Sequence, residues 1–412
     1  MSNRELSEPH AGIAPFGHWL EVLLAFGKLG VSSFGGPIAH IGYYREEFVV
    51  RRRWLDEHAY ADLVALCQFL PGPASSQVGF SIGLMRGGYL GGLAAWIAFT
   101  LPSAIALLLF AYGANALKGP IGVGLLHGLK LVAVAIVAQA VWGMARTLAP
   151  DRERASIAAI AALIILFSSA SVAQMGAIAL GGVAGLWFCR AAPPIATDQG
   201  HFSVPVSRGV GLVALVVFFL LLGGLPLLTA VGHSQAVALF DAFYHSGALV
   251  FGGGHVVLPL LREATVTPGW VSDDAFLAGY GAAQAVPGPL FTFSAYLGAV
   301  MKPSPHGVGG AVVSLIAIFL PGILVLVGTL PFWETFRRHV RAQAIMRGVN
   351  AAVVGLLGAA FYNPVWTSSV KAPGDFGLAL VGFVLLTVWR APPLVVVAIS
   401  ALGGIALALG AA

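Results

Sequence analysis

Charged residues are scarce in this sequence. Only 9% of its 412 residues are Asp, Glu, Lys or Arg, and 58% are hydrophobic, whereas a typical soluble domain has roughly 25% charged residues. Apolar runs of membrane-spanning length recur near residues 91–115, 126–145, 155–190, 209–230, 308–330 and 376–411. This composition excludes a soluble protein and predicts an integral membrane protein.

The strict alternation of apolar and polar residues that marks an outer-membrane barrel is also lacking. Backbone that faces lipid must satisfy its hydrogen bonds within its own segment, and an α-helix does so. The apolar runs are rich in Leu, Ala, Val and Gly, which fits helices. The predicted fold class is therefore an all-α integral membrane protein, a polytopic helical bundle.

Motifs for catalysis, metal binding and nucleotide binding are absent from the sequence. Its two cysteines, Cys67 and Cys189, lie far apart and form neither a disulfide framework nor a metal pattern. There is no phosphate-binding P-loop, His-Glu-x-x-His zinc signature, Gly-x-Ser-x-Gly elbow or intramembrane carboxylate pair. We therefore expect no enzyme activity, no metal and no cofactor. The net charge of +5 is modest and comes from loop arginines, so no nucleic-acid partner is expected.

An internal repeat is the strongest pattern that is present. Phe34-Gly35-Gly36-Pro37 recurs as Phe251-Gly252-Gly253-Gly254, and Pro71-Gly72-Pro73 recurs as Pro287-Gly288-Pro289. The spacing between the two motifs is nearly the same in both copies. Further matches occur in the same order: Arg45-Glu46 with Arg262-Glu263, Trp54 with Trp270, Gln68 with Gln284, Leu101-Pro102 with Leu320-Pro321, and Gly128 with Gly348.

Loop charge indicates that the two copies have opposite orientations, because Lys and Arg accumulate in cytoplasmic loops. Residues 45–58 contain four arginines, whereas the matching residues 262–274 retain one arginine and contain three acidic residues. Two further loop pairs alternate in the same way: Lys118 against Arg337, Arg338, Arg341 and Arg347, and Arg146, Arg152 and Arg154 against Lys371. The sequence predicts inverted-topology repeats, which are typical of secondary transporters.

The domain boundaries follow from this topology, since an odd number of membrane crossings must separate inverted copies. We assign residues 1–18 to a cytoplasmic N-terminal tail, 19–190 to the first repeat, 191–236 to a linker with an extra transmembrane helix, and 237–412 to the second repeat. The tail is polar and lacks a signal-peptide pattern, so we expect no removable leader.

Each repeat contains two helices that are interrupted by glycine and proline. The segment Leu20–Ser33 is short and is cut by Gly35-Gly36-Pro37, and the segment Ala59–Leu84 is cut by Pro71-Gly72-Pro73. Such breaks are typical of broken or re-entrant helices, and each presents a helix N-terminus that attracts anions. Four breaks around a pseudo-two-fold axis predict a site for one dianion. The alternative is that these residues serve only packing and kinking; their paired occurrence favours the site.

The candidate substrate-binding residues are the breaks and the polar residues beside them. Lys28 supplies a cation, with His245 in its place in the second copy, while Gln, Ser and Thr side chains donate hydrogen bonds without charge. A lysine that snorkels to the surface and polar helix-packing contacts are the alternatives. The full set is Lys28, Phe34, Gly35, Gly36, Pro37, Gln68, Pro71, Gly72, Pro73, Ser76, Gly252, Gly253, Gly254, Gln284, Pro287, Gly288, Pro289 and Thr292.

A second set consists of candidate gating or coupling residues. Histidines near the breaks titrate near neutrality and are candidates for coupling transport to protons; structural histidines are the alternative. The two Arg-Glu pairs are candidates for mutual or cross-repeat ion pairs that gate the site, with solvated loop pairs as the alternative. The set is His40, Arg45, Glu46, His245, His255, Arg262 and Glu263.

The combination of Phe34-Gly35-Gly36-Pro37, Arg45-Glu46, Gln68 and Pro71-Gly72-Pro73, followed by a weaker second copy, resembles the chromate ion transporter family in its long, two-domain form. The resemblance runs from about Phe26 to the C-terminal helices. It implies a bacterial inner-membrane protein that exports chromate, driven by the membrane potential or the proton gradient, and thereby confers chromate resistance. It also implies sulfate as a competing substrate.

Two alternatives to chromate export stay open from the residues alone. One is a transporter of sulfate or another tetrahedral oxyanion. The other is a lipid-processing or lipid-translocating membrane protein, which requires a catalytic cluster or a wide lateral groove. The expected partners are chromate or sulfate as substrate, the lipid bilayer and, as an alternative to a monomer, a second copy of the chain in a homodimer.

Overall fold

The computed structural model describes residues 18–114, 119–168, 173–189, 205–232, 234–251, 254–333 and 339–410. Across these ranges the regular structure is helical and contains no β-strand. The predicted all-α fold class is confirmed. Residues 1–17 of the predicted tail, residues 191–204 of the predicted linker, the loop residues Lys118, Arg337 and Arg338, and Gly252 and Gly253 lie outside the described residues.

The first repeat begins with two interrupted helical segments, and continuous helices follow them. The π-helix Arg45–Arg51 continues α2, and α4 bends at Gly87 and Gly88, which have non-helical backbone angles. We call the parts of α4 before and after this bend α4a and α4b. The helices are α1 (His18–Ser32), α2 (Gly36–Tyr44), α3 (Glu57–Phe69), α4 (Ala74–Ala114), α5 (Gly119–Leu148), α6 (Arg152–Phe167) and α7 (Ala173–Phe188).

One helix, α8 (Arg208–Val231), follows the first repeat, and the second repeat then repeats the order. In that repeat α12 and α13 together correspond to α4. The helices are α9 (Gln235–Ala248), α10 (Val257–Thr265), α11 (Asp273–Ala283), α12 (Phe293–Val300), α13 (Gly307–Thr329), α14 (Val340–Ala360), α15 (Pro373–Thr387) and α16 (Pro393–Gly410). The short 3₁₀ turns Gly254–Val256 and Leu290–Thr292 precede α10 and α12.

Within the described ranges, six helical segments are long and apolar enough to cross a membrane. They are Ala74–Gly113, Gly119–Leu148, Arg208–Val231, Gly307–Phe332, Val340–Ser369 and Pro393–Gly410. Many of their large apolar side chains are exposed on the protein surface, as expected where lipid is the solvent.

The interrupted segments of the first repeat are hairpins whose two ends lie on the same side. Glu21, in the first turn of α1, lies 3.5 Å from the guanidinium of Arg52, which follows the π-helix. The same carboxylate lies 2.9 Å from the guanidinium of Arg86 at the end of α4a. Both guanidinium groups also lie over the ring of Trp54, which precedes α3. Each of the segments α1–α2 and α3–α4a is therefore a hairpin that opens to one side.

Helices of each repeat pack against helices of the other repeat, in equivalent positions. Helix α5 of the first repeat packs against α15 and α16 of the second, while α14 of the second packs against α6 and α7 of the first. The matched glycines lie at these crossings: a Cβ atom on Gly128 would overlap the backbone of Ser400, and one on Gly348 would overlap the backbone of Gly181. Both positions require glycine because two helix backbones approach closely there.

The equivalent helices α5 and α14 run in opposite directions. Arg347, near the start of α14, donates to the carbonyl O of Cys189, next to the end of α7, at 3.2 Å. Asp151 and Arg154, in the connection after α5, are close enough to interact electrostatically with the same cysteine. The end of α5 and the start of α14 thus share one side with the Arg-rich loops, as inverted repeats require.

Two ion pairs connect the repeats on the other side of the molecule. The ammonium of Lys130 on α5 lies 2.8 Å from the carboxylate of Asp274 in the first turn of α11. The ring nitrogen Nε2 of His127 lies 2.7 Å from the carboxylate of Asp375 in the first turn of α15. These pairs fix the register of α5 against helices of the opposite repeat.

Candidate functional site

The four helix breaks meet at one place, and two backbone hydrogen bonds join them across the repeats. The N–H of Gly72 donates to the carbonyl O of Val250 at 2.7 Å, and the N–H of Gly288 donates to the carbonyl O of Ser33 at 2.9 Å. Gly72 and Gly288 are equivalent residues of the two Pro-Gly-Pro motifs, and Ser33 and Val250 each precede the Phe of the other motif. The two bonds are therefore related by the pseudo-two-fold axis.

Each Pro-Gly-Pro glycine also packs against the residue that follows the Leu-Pro pair of the opposite repeat. A Cβ atom on Gly72 would lie 2.9 Å from the Cα of Gly322, and one on Gly288 would lie 2.9 Å from the Oγ of Ser103. Both glycines have positive φ angles, of 114° and 94°. Conformation and close approach both require glycine at these two positions.

The helix N-termini face one another at the same place. A Cβ atom on Gly254, at the start of its 3₁₀ turn, would lie 3.2 Å from the Cγ of Pro37 and 3.9 Å from the Cδ2 of Leu290. Pro37 occupies the first turn of α2, where its missing N–H costs nothing. The first-turn amides of a helix have no partner within the helix, so this meeting point carries positive partial charge.

His40 of α2 ties the first repeat together at this point. Its Nε2 lies 3.2 Å from the carbonyl O of Ser33, and its Nδ1 lies 3.3 Å from the Oγ of Ser75. The ring is buried and packs edge-on against Phe99 of α4b. His40 thereby connects the end of α1, the start of α4a and the middle of α4b.

Buried hydroxyl groups without a partner surround these contacts. The Oγ atoms of Ser33 and Ser76 and the Oγ1 of Thr100 are buried, and they make no hydrogen bond within the described part of the chain. Thr100 follows Phe99, its carbonyl O accepts from the Oγ of Ser103, and Ser76 follows Ser75. A buried hydroxyl without a hydrogen-bond partner costs folding free energy. An oxyanion can accept the hydrogen bond that such a hydroxyl donates.

Gln77, which is not among the residues predicted from the sequence, is part of the site. Its Nε2 donates to the carbonyl O of Pro71 and to that of Gly322, each at 2.9 Å. This buried amide holds the first Pro-Gly-Pro break against α13 of the opposite repeat. Its equivalent in the second repeat is Phe293, so the repeat comparison gives no signal for it.

The second repeat brings its own predicted residues to this point. Thr292 is buried, and its hydroxyl donates to the carbonyl O of Pro289 at 2.8 Å. The Nδ1 of His255 lies 2.6 Å from the hydroxyl of Tyr280 on α11. Gln284 is partly buried at the C-terminus of α11. Gly36 begins α2, and the remaining predicted break residues lie in the connections between helices: Phe34, Gly35, Pro71, Pro73, Pro287 and Pro289.

Two predicted substrate ligands have exposed side chains. Lys28 is exposed on α1, and its charge acts on Glu47 of the π-helix. Gln68 is exposed near the end of α3. Both side chains lie outside the buried contacts of the breaks.

The predicted Arg-Glu pairs have different partners from those expected. The Nε of Arg45 donates to the carboxylate of Glu57 at 2.6 Å rather than to Glu46, and Arg262 pairs with Asp273 at 2.8 Å rather than with Glu263. Glu57 and Asp273 are the equivalent first residues of α3 and α11. The expectation of mutual or cross-repeat pairs was wrong, since neighbouring side chains on a helix point to different faces. Each pair instead links the two hairpins within one repeat.

His245, the residue equivalent to Lys28, is paired with an acid. Its Nδ1 lies 2.7 Å from the Oδ1 of Asp241, one turn earlier on α9. Asp241 was not among the predicted residues, although its position four residues before a histidine is a recognisable helix-pair signal. His245 therefore brings no uncompensated positive charge to the breaks.

The described residues contain no cluster of His, Cys, Asp and Glu suited to a metal ion. A family model described as "Chromate transporter" matches residues 20–186 and again residues 237–405. The chain belongs to the chromate transporter family. The two matches correspond to the two repeats and leave α8 between them.

Several relatives of similar length match most of this chain. A chromate transport protein of Pseudomonas aeruginosa is 27% identical over 399 residues, which cover 93% of this chain and 90% of that protein. A probable chromate transport protein of Synechococcus elongatus is 26% identical over 406 residues, covering 92% and 93%. An uncharacterized transporter of Methanocaldococcus jannaschii is 26% identical over 343 residues, covering 82% of each chain. No solved structure matches the chain.

Proposed function

We propose that this member of the chromate transporter family is a secondary active transporter that exports chromate from the cytoplasm and thereby gives chromate resistance. The observation that carries the proposal is the convergence of the four breaks through the paired bonds Gly72 to Val250 and Gly288 to Ser33. Helix N-termini and partnerless hydroxyls at one buried point suit a small dianion. The names of the relatives identify chromate as the first substrate to test.

The driving force is proposed to be the proton gradient or the membrane potential, since the sequence has no nucleotide-binding motif. We place the chain in the bacterial inner membrane with a cytoplasmic N-terminus, because the Arg-rich loops gather on one side. The pseudo-two-fold site lies between the repeats, as alternating access requires.

Sulfate is the second candidate substrate. The described contacts at the breaks come from neutral amides and hydroxyls, which hydrogen-bond any tetrahedral dianion of similar size. Lipid translocation is disfavoured, because the breaks are in direct contact with one another rather than separated by a wide groove.

The test is uptake of labelled chromate into inverted membrane vesicles, where export from the cell appears as accumulation. We expect accumulation that falls when the proton gradient and membrane potential are collapsed. Sulfate should compete if the site recognises only a tetrahedral dianion. Accumulation equal to that of vesicles without the protein would refute the proposal. Stronger transport of sulfate than of chromate would show that sulfate, and not chromate, is the main substrate.

A further inference from the structure

A proline on α8 leaves one backbone carbonyl without its usual partner. Pro226 has no N–H, so the carbonyl O of Leu222, four residues earlier, lacks an intrahelical donor. The Nε2 of His245 on α9 lies 3.0 Å from this carbonyl O. The helix that stands between the repeats thus offers a specific acceptor to a histidine of the second repeat.

The other nitrogen of His245 faces an acid. Its Nδ1 lies 2.7 Å from the Oδ1 of Asp241, and the Oδ2 of Asp241 lies 3.4 Å from the hydroxyl of Thr229 on α8. Both side chains are mostly buried, with exposed fractions of 18% for Asp241 and 23% for His245. Asp241 and His245, which we call the α9 pair, therefore lie between α9 and α8.

The geometry of the α9 pair determines how many protons it holds. A carbonyl O only accepts, so the Nε2 of His245 must carry hydrogen. The Nδ1 lies 3.2 Å from the carbonyl O of Asp241, which also only accepts, so this nitrogen too carries hydrogen, with the carboxylate 2.7 Å away as its counter-charge. With that proton the pair is neutral overall, whereas without it a carboxylate faces the lone pair of Nδ1 and the pair carries one negative charge. The observed contacts fit the state with the proton.

Few other charges surround the α9 pair. Helix α8 has one charged residue, Arg208 at its opposite end, and α13 has none. On α10 and the turn before it, the titratable groups are His255, Arg262 and Glu263, which contact Tyr280, Asp273 and Thr267 respectively. Loss of the proton would leave a buried charge without compensation, which apolar surroundings strongly disfavour.

The α9 pair is one helical turn from the breaks. The carbonyl O of His245 accepts from the N–H of Leu249, and the carbonyl O of the next residue, Val250, accepts from the N–H of Gly72. A change in the contact between α9 and α8 is thereby transmitted to a break that forms the proposed anion site. The first repeat has Leu24 and Lys28 at the equivalent positions, so it contains no such pair.

We propose that Asp241 and His245 form the proton-binding site that couples oxyanion movement to the proton gradient, with one proton bound per transport cycle. This inference rests on the proposed function as an oxyanion transporter. Release of the proton breaks the neutral contact of α9 with α8, and the resulting shift of α9 moves Val250 against Gly72. The site binds only a proton, and the anion site at the breaks is separate from it.

The test uses the purified full chain in liposomes that contain a pH-sensitive dye. Two processes are measured: exchange of labelled chromate at equal pH, and chromate accumulation driven by an imposed pH gradient together with the accompanying proton movement. We expect Asp241→Asn and His245→Gln to retain measurable exchange, while accumulation and chromate-dependent proton movement fall at least tenfold. His58→Gln, which removes an exposed imidazole in the first turn of α3, is the matched control and should behave as the wild type.

The outcomes separate the two proposals. Gradient-driven accumulation at wild-type level in either variant overturns the assignment of the α9 pair. Wild-type exchange without proton movement also overturns it, while leaving oxyanion transport intact. No chromate movement by the wild type in either assay refutes the transport function and with it the coupling site. If Asp241→Asn does not fold, the His245→Gln variant and the proton movement of the wild type still test whether the α9 pair binds the coupling proton.

Discussion

The N–H of Gly72 and the carbonyl O of Val250 are joined by a hydrogen bond of 2.7 Å, although 178 positions in the sequence separate the two residues. Gly72 lies in the second hairpin of the first repeat, and Val250 lies in the first hairpin of the second. The pseudo-symmetric bond from Gly288 to Ser33 makes the relationship reciprocal. Neither repeat can complete this junction alone, because each supplies one donor and one acceptor.

We predict that Gly288→Ala abolishes transport. The new Cβ atom would lie 2.9 Å from the Oγ of Ser103, and the φ angle of 94° would add roughly 1–2 kcal/mol of backbone strain. Gly269→Ala is the control, because Gly269 has a φ angle of 77° but no atom within 4 Å. Chromate uptake and the amount of inserted protein should be measured for both. Equal uptake by the two variants would show that transport continues when the backbone around Gly288 is displaced.

Thr100→Val should weaken chromate binding without destabilising the protein. The hydroxyl of Thr100 is buried and has no partner in the described chain, and valine keeps the shape of the side chain. Loss of one hydrogen bond to an anion costs about 1.5 kcal/mol, which is roughly tenfold in the apparent affinity. The measurement is the KM for chromate together with the thermal unfolding midpoint. A lowered midpoint at unchanged KM would identify Thr100 as a structural residue.

Gly348→Ala should destabilise the packing of α14 against α7. Its Cβ atom would overlap the backbone of Gly181, and such overpacking typically costs about 1–3 kcal/mol. Gly143→Ala on α5 is the control, since that position has no atom within 4 Å. We expect a lower thermal midpoint in detergent for Gly348→Ala alone. Similar midpoints for the two variants would mean that the crossing can widen.

Labelling of single cysteines tests the proposed orientation. In a chain with Cys67→Ala and Cys189→Ala, a membrane-impermeant thiol reagent should modify Arg152→Cys only in inside-out vesicles. It should modify Asp274→Cys only in right-side-out vesicles, because Asp274 is exposed on the opposite side. The reverse pattern would place the Arg-rich loops outside the cell, and labelling of one position from both sides would contradict a fixed orientation.

Asp151 gives an expected pH dependence outside the membrane. The guanidinium of Arg154 donates to its carboxylate at 2.7 Å and holds the pKa of Asp151 below its ordinary value of 3.8. A lowered folded-state pKa contributes stability above the ordinary value, and this contribution is lost as the pH falls through the folded value. We therefore expect the contact of Asp151 with Arg154 to stabilise α6 less below about pH 4. Asp151→Asn should make the N-terminal end of α6 less sensitive to acid, as measured by hydrogen exchange.

The repeated motifs and the loop charges were enough to predict the helical fold and the inverted copies. They could not identify the partner of Arg45, because Glu57 is separated from it by the π-helix and a turn. Gln77 also gave no signal, since its acceptor at Gly322 belongs to the opposite repeat. Contacts of this kind depend on how helices cross, which the local pattern along a single helix does not contain. Asp241 was recognisable, because it lies four residues before His245.

The position of α8 bears on the resting state of the transporter. Two identical inverted halves would make the inward-open and outward-open conformations equivalent by a two-fold rotation and therefore equal in energy. Helix α8 has no counterpart, and it contacts α9 and α13 of the second repeat. The carbonyl O of Leu222 and the hydroxyl of Thr229 add polar contacts that the first repeat has no means to copy. We therefore expect this single helix to bias the populations of the two conformations, even when no gradient is present.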